Sequence, residues 1–248
     1  MKEMHILNGG AMVDRIVAAG FAEYIVMSEC LIDGPVNFSS TDAFFEARAN
    51  YLSPGNTAEY YNGVVTELGR LSSLEKHTAI YLWFEDDLFC QANMWFVLYY
   101  LYNQGITEAV YRIFPRQLQA GYRWNGYGRH TPGDLKEAWH DKVGFTSTDI
   151  ELGKNLWLAY ASGNFEQLQT LAQTPTHCFH DLPDVVQAHI DRFPQPGQQG
   201  RPEKLLQNIM NNGVTGFHNI FREFFVTEGG IYGFGDDQVK KILEHMEK

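Results

Sequence analysis

Residues 78–102 read TAIYLWFEDDLFCQANMWFVLYYLY. The opening TAIYLWF is β-branched and aromatic, with no Gly or Pro, which is the composition of a buried strand. From residue 88 the run is too long for a strand and carries no breaker until Gly105, so residues 88–102 are predicted to be an apolar helix, with Asp86 or Asp87 as its N-cap. Between the two lie three consecutive acids, Glu85, Asp86 and Asp87. A strand running directly into a helix is the start of a β–α unit, and the rest of the first half repeats it. Residues 4–8 (MHILN) predict a strand ending at Gly9-Gly10. Residues 12–19 show helical spacing and stop at Gly20, and 23–27 (EYIVM) predict a second strand. Residues 32–36 (IDGPV) form a turn. Helices are predicted over 41–51 and 56–71, and another strand over 109–114 (AVYRIF). Strand–helix alternation with few hairpin signals predicts an α/β fold, Rossmann-like, with an at least partly parallel sheet in residues 1–115.

After Pro115 the pattern turns helical: 132–142, 149–160, 165–173, 184–192, 203–211, 215–225 and 236–247. The reading is therefore a Rossmann-like domain over 1–115 and a helical region over 116–248. FPQPGQQGRP at 193–202 is the clearest break. Two short helices and EGGIYGFGD before the last helix fit a winged-helix-like unit over 201–248. That unit carries six bases against seven acids, a poor balance for phosphate contacts. It fits packing on the first domain or a dimer interface better than DNA binding.

Composition bounds the function. In 248 residues, 44% are hydrophobic and 14% aromatic, which excludes a disordered chain. The net charge of −11 argues against general affinity for nucleic acid. The longest apolar stretches fall well short of the roughly 20 residues a membrane span needs. MKEMHILNGG lacks the apolar run of a secretory signal, which predicts a cytoplasmic protein. Three widely spaced cysteines, Cys30, Cys90 and Cys178, make neither a disulfide framework nor a zinc ribbon. His177-Cys178-Phe179-His180-Asp181 has no second ligand pair, so no metal site is expected there.

Three stretches carry candidate chemistry. Asn8-Gly9-Gly10 stands between a strand and a helix, where backbone N–H groups donate to anions. It lacks the dinucleotide and P-loop fingerprints, and taken alone it reads first as a plain strand-to-helix turn. Glu85-Asp86-Asp87 stands at the carboxyl end of the best strand, where open α/β sheets bind ligands. Capping explains one or two of these acids. All three, with Gln91 and Asn93 behind them, suggest carboxylates that bind a ribose, hold Mg²⁺ or act as a base. Glu29-Cys30-Leu31-Ile32-Asp33-Gly34-Pro35-Val36 follows the second strand. Arg48 is the nearest helical cation, either a partner for Glu29 or an anion ligand. His5 is a core or a site histidine, and Trp124-Asn125-Gly126-Tyr127-Gly128 is a candidate lid.

Taken in order, HILNGG, ECLIDGPV, FFEARANYL, LWFEDDLFCQANMW and GRPEKLL resemble the uncharacterised bacterial family called domain of unknown function 1835. WFEDDLFCQ is the most specific piece, and the likeness is strongest over residues 4–115. The resemblance implies no activity. It implies that His5, Asn8, Gly9, Glu29, Gly34, Pro35, Arg48, Trp83, Glu85, Asp87 and Gln91 occupy motif positions. The chain departs from the family pattern at Gly10, where Asp is frequent, and at Ser28, where Arg is frequent.

The resulting expectation is a crevice that binds a small anionic ligand, a nucleotide or phosphate compound, with hydrolase or transferase chemistry. Glu85 and Asp87 are the expected catalytic residues. His5, Asn8, Gly9, Gly10, Glu29, Gly34, Arg48, Trp83, Asp86 and Gln91 are the expected ligand-binding residues. The cofactor is left open, with Mg²⁺ as a candidate. A small molecule is the expected partner, with no membrane, and a homo-oligomer is left open. The rival reading is a non-catalytic regulatory or protein-interaction module.

Overall fold

The computed structural model describes residues 2–118, 123–124, 126–194 and 196–246. Five strands, β1 (Glu3–Asn8), β2 (Tyr24–Met27), β3 (Ala79–Trp83), β4 (Val110–Ile113) and β5 (Val143–Gly144), form one sheet in the order β2-β1-β3-β4-β5. The first four are parallel, and β5 pairs antiparallel with β4. The α/β expectation holds. β5 lies in the half read as mostly helical. With only two residues, it is too short to leave a period-2 pattern in the sequence.

β1 and β3 are buried on both faces, as central strands of a covered parallel sheet must be, so they read as unbroken apolar runs. Their side chains alternate between two cores. Met4, Ile6, Ile80 and Leu82 enter the larger one. Leu7, Tyr81 and Trp83 enter a smaller one beneath α1 (Val13–Ala18) and α6 (Pro132–His140), with Ile16 and Leu135. The predicted helix 12–19 begins instead as a 3₁₀ turn over Gly10–Met12 and then continues as α1.

The larger core is covered by α2 (Thr41–Leu52), by a helical run from α3 (Thr57–Tyr60) through a π turn into α4 (Thr66–Gly69), and by α5 (Leu88–Asn103). The run over 56–71 was read as one continuous helix, and the π turn at Tyr61–Val65 interrupts it. α7 (Ser147–Ala161) packs along α5, and a Cβ at Gly153 would collide with Leu98, so glycine permits that close approach. α8 (Phe165–Leu171), α9 (Leu182–Ile190), α10 (Arg201–Asn211), α11 (Phe217–Val226) and α12 (Asp236–Met246) complete the chain.

Residues from both halves share the larger core, Leu82 and Phe84 with Trp157, Val185 and Phe224. The second half therefore packs as part of the same body. Over residues 201–246 there are three helices and a 3₁₀ turn at Glu228–Tyr232 but no strand, so the pair that would make a wing is absent among the described residues. Among the described residues, no helix is long and apolar enough to cross a membrane. Asn125, in the candidate lid, lies outside the described residues.

Candidate functional site

The strand order reverses between β1 and β3, with β2 on one side of β1 and β4 beyond β3. At such a reversal the connections leave in opposite directions and open a crevice at the carboxyl ends of the strands. A cleft of about 140 Å³ lies there, lined by Asn8 from the end of β1, Arg15 from α1, Trp83 and Glu85 from the end of β3, Cys90 from α5, and Tyr127.

The three consecutive acids point three ways. Glu85 turns into the cleft, where its carboxyl accepts the Tyr127 N–H at 2.6 Å. A Cβ on Gly126 would collide with that carboxyl, so glycine lets the loop close over it. Asp86 pairs with Arg112 of β4 at 3.0 Å. Arg112 is fully buried and also donates to the carbonyls of Phe84, Glu85 and Cys178. Asp87 caps α5, accepting the Cys90 N–H at 3.0 Å. A Cβ at Gly233 would strike the Asp87 carboxylate, so the segment between α11 and α12 is seated directly on this acid.

Burial dominates the electrostatics. It pushes the Glu85 carboxyl upward, and the Asp86 charge adds to this against the Tyr127 N–H. It raises Asp87 to about 7, with the Glu85 charge contributing. The Cys90 thiol is driven well above its ordinary range by burial and then by Asp87 and Glu85. Asp86 is also raised by burial, opposed by Arg112 and His180.

A chain of amides joins the ends of β1 and β2 to the cleft. Asn93 of α5 accepts the Leu31 N–H, which fixes its orientation, and its Nδ2 donates to the Glu29 carbonyl and to Asn8 Oδ1. Asn8 is thereby turned so that its own Nδ2 donates to Cys90 Sγ at 2.9 Å. Asn8 and Glu85 therefore meet in the cleft, whereas Glu29 is joined to them only by its backbone carbonyl, through Asn93.

Several expected ligand residues face elsewhere. The Glu29 carboxylate is buried, held by Arg48 at 2.5 Å, by the Tyr60 hydroxyl at 2.5 Å and by the Cys30 N–H at 2.9 Å. Arg48, fully buried, adds bonds to the carbonyls of Cys30 and Asp33. A Cβ at Gly34 would lie 2.8 Å from Arg48 Nη1. These residues brace the loop after β2 and line no part of the cleft, because Arg48 has no donors left for a ligand in a knot closed to solvent. His5 is 1% exposed, accepts the Trp83 indole N–H at 2.9 Å and stacks on Tyr81, so it is a core histidine. Gly9, at φ +84°, gives its N–H to the Met27 carbonyl. Gly10 starts the 3₁₀ turn that carries Ala11 and Met12 to the cleft. Gln91 is fully buried and does not line the cleft. Cys30 is pushed up to about 12 by burial and by Asp33, the wrong direction for a nucleophile.

Sequence reasoning named Gly126 and Tyr127 only within the candidate lid and Asn93 only as standing behind the acids, and it did not select Arg15, Arg112 or Gly233. Arg112 had a usable signal, a lone cation in an apolar strand. Arg15 and Gly233 carry none, since they arrive from an amphipathic helix and a loop. Arg15 donates to the carbonyls of Tyr127, Gly128 and His130 through Nη1 and to Ala11 through Nη2, so it both lines the cleft and ties down its far wall.

No protein-family model matches this chain, and comparison with curated proteins and with solved structures finds no match. The function must therefore be argued from the site itself. Glu85, Asp87 and Cys90 bring one potential ligating atom each to within 4.8 Å of one another, and no other such group occurs among the described residues. The His177–Asp181 stretch forms none; His180 instead stacks on Phe114 at 3.9 Å.

Proposed function

We propose that this protein binds a small anionic ligand, a phosphate or carboxylate compound, in the cleft at the carboxyl ends of β1 and β3, and that Glu85 with Asp87 supports hydrolase or transferase chemistry on it. One observation carries this reading: Arg15 and Glu85 line the same cleft at the point where the strand order reverses. A guanidinium has five N–H donors. Arg15 engages carbonyls only through Nη1 and one Nη2 bond, which leaves donors for an anion. Arg15 thus takes the role the sequence suggested for Arg48.

The cleft volume of about 140 Å³ limits the ligand. Pockets that enclose drug-sized molecules run to about 300–1,000 Å³. The cleft takes a phosphate or carboxylate group with a short attachment, which favours a small compound over an enclosed nucleotide. The resemblance to domain of unknown function 1835 remains part of this proposal and adds no activity to it.

The test is a thermal-shift screen of small phosphorylated and carboxylated compounds, with inorganic phosphate as the simplest probe. A ligand at 100 times its Kd stabilises the native state by about 2.7 kcal/mol, which raises Tm measurably. The shift should be lost in Arg15→Gln and reduced in Glu85→Gln. No shift with any compound, or a shift indifferent to both variants, would remove the cleft as a ligand site and leave the interaction-module reading.

A further inference from the structure

The GRPEKLL stretch at 200–206 takes no part in the cleft. It opens α10, and together with the segment after α9 and one face of α12 it borders a second cavity of about 350 Å³. That volume falls in the range of small-molecule pockets, about 300–1,000 Å³. Gln238, Lys241, Ile242 and His245, spaced i, i+3, i+4 and i+7, form the face of α12 that lines it.

Two acids and two strong bases line this cavity, and only half of them are matched. Asp33 accepts from Gln238 at 3.2 Å and lies 3.6 Å from Lys241 Nζ. Arg192 and Glu203 have no ion-pair partner among the described residues, neither each other nor a third group. The Arg192 guanidinium carbon lies 5.4 Å from the ring centre of Phe234 and 5.5 Å from that of Phe193, and both rings are walls of the cavity. Its Nη2 donates to the Ile32 carbonyl at 3.0 Å, whereas Nη1 has no acceptor among the described residues. Glu203 is the converse case, because its Oε2 has no donor among them. A Cβ at Gly200 would collide with that oxygen and would stand 3.0 Å from the Arg192 carbonyl, so two acceptors converge over Gly200. Both unmatched atoms are covered from water, so solvent does not make the missing bonds. Interior polar groups left in that state are costly.

A spare donor on a cation and a spare acceptor on an anion, held apart beside one apolar-walled cavity, suit a ligand that carries both opposite charges. We propose that this cavity binds a free α-amino acid with an apolar side chain. The ligand carboxylate accepts from Arg192 Nη1, and its ammonium donates to Glu203 Oε2 and the Arg192 carbonyl. Its side chain lies against Phe193, Phe234 and Ile242. The end groups of Arg192 and Glu203 turn toward the cavity as the ligand enters, since they are closed to water without it. The two bases and two acids cancel, which suits a zwitterion and disfavours a phosphate dianion. The inference does not depend on the cleft, with which this cavity shares no residue.

The experiment is calorimetric titration of the full chain with L-phenylalanine and L-leucine. Each is compared with its analogue lacking the ammonium (hydrocinnamate, isocaproate) and its analogue lacking the carboxylate (phenethylamine, isoamylamine). At least one of the two amino acids should bind with one-to-one stoichiometry and exceed both its analogues by at least about 10-fold. Glu203→Gln removes the charge that holds the ammonium. It should weaken that amino acid by about 10-fold and leave the affinity of the ammonium-free analogue where it was. Arg192→Gln should weaken both. Arg192 also holds the Ile32 carbonyl, so if that variant does not fold, Glu203→Gln decides. No binding by either amino acid, equal binding of an amino acid and its analogues, or an amino-acid affinity indifferent to Glu203→Gln overturns the proposal.

Discussion

His5 lies in β1 and reads from the sequence as either a core or a site histidine; the structure puts it in the core, and a pH experiment separates the two assignments. Burial lowers its pKa from 6.5 to about 4. Its Nδ1 accepts the Trp83 N–H, a bond that protonation at that nitrogen would break. The folded state therefore binds fewer protons than the unfolded chain between these two values, so stability rises with pH through that window and is lost as pH falls from about 6.5 to about 4. The gap of about 2.5 pH units, at 1.36 kcal/mol each, sets a ceiling of about 3 kcal/mol. The net shift already contains the opposing pull of Glu3, 3.7 Å from His5 Nε2, so the expected loss is on the order of 2–3 kcal/mol. His5→Gln retains an acceptor for Trp83 and cannot titrate. At pH 7 it should cost about 1–2 kcal/mol, from the lost ring contacts with Tyr81 and Phe21. Urea unfolding at intervals from pH 7.5 to 4 should show the wild type losing about 2–3 kcal/mol more than the variant, so that the variant overtakes it in acid by up to about 2 kcal/mol. A wild-type-minus-variant difference that stays flat across the window would refute the buried, neutral assignment.

Three further outcomes follow from the packing around the acids. Gly233→Ala and Gly213→Ala both place a side chain at positive φ, but a Cβ at Gly213 meets nothing within 4 Å while one at Gly233 meets Asp87. Thermal unfolding should therefore show Gly213→Ala costing about 1–2 kcal/mol and Gly233→Ala at least about 2 kcal/mol more. Arg112→Met strands Asp86 and three carbonyls and should cost about 3–5 kcal/mol in urea unfolding, with Asp86→Asn in the same chain restoring part of the loss. Tyr60→Phe removes one of the bonds on the Glu29 carboxylate and should cost about 1–2 kcal/mol by the same measurement. Because the Glu29 knot lies outside the cleft, ligand-induced thermal shifts should be unchanged in that variant.

The sequence by itself determined the elements that carry the site. The strand–acid–helix run at residues 78–102, the glycines that end β1 and α1, and the strand–helix alternation all follow from local periodicity and backbone freedom, and the parallel sheet came with them. It also located the acids at a strand's carboxyl end, and Asp87 was one of its two candidates for the cap of α5. Only the tertiary structure decided what each acid does. Glu85 meets Gly126 and Tyr127, Asp86 meets Arg112 and Asp87 meets Gly233. The same holds for Arg48, which by sequence could pair with Glu29 or bind an anion and which the fold commits to the pair. Helical and strand periods fix which face a residue lies on; the partner waiting there comes from a distant loop or strand whose approach leaves no periodic trace in the chain.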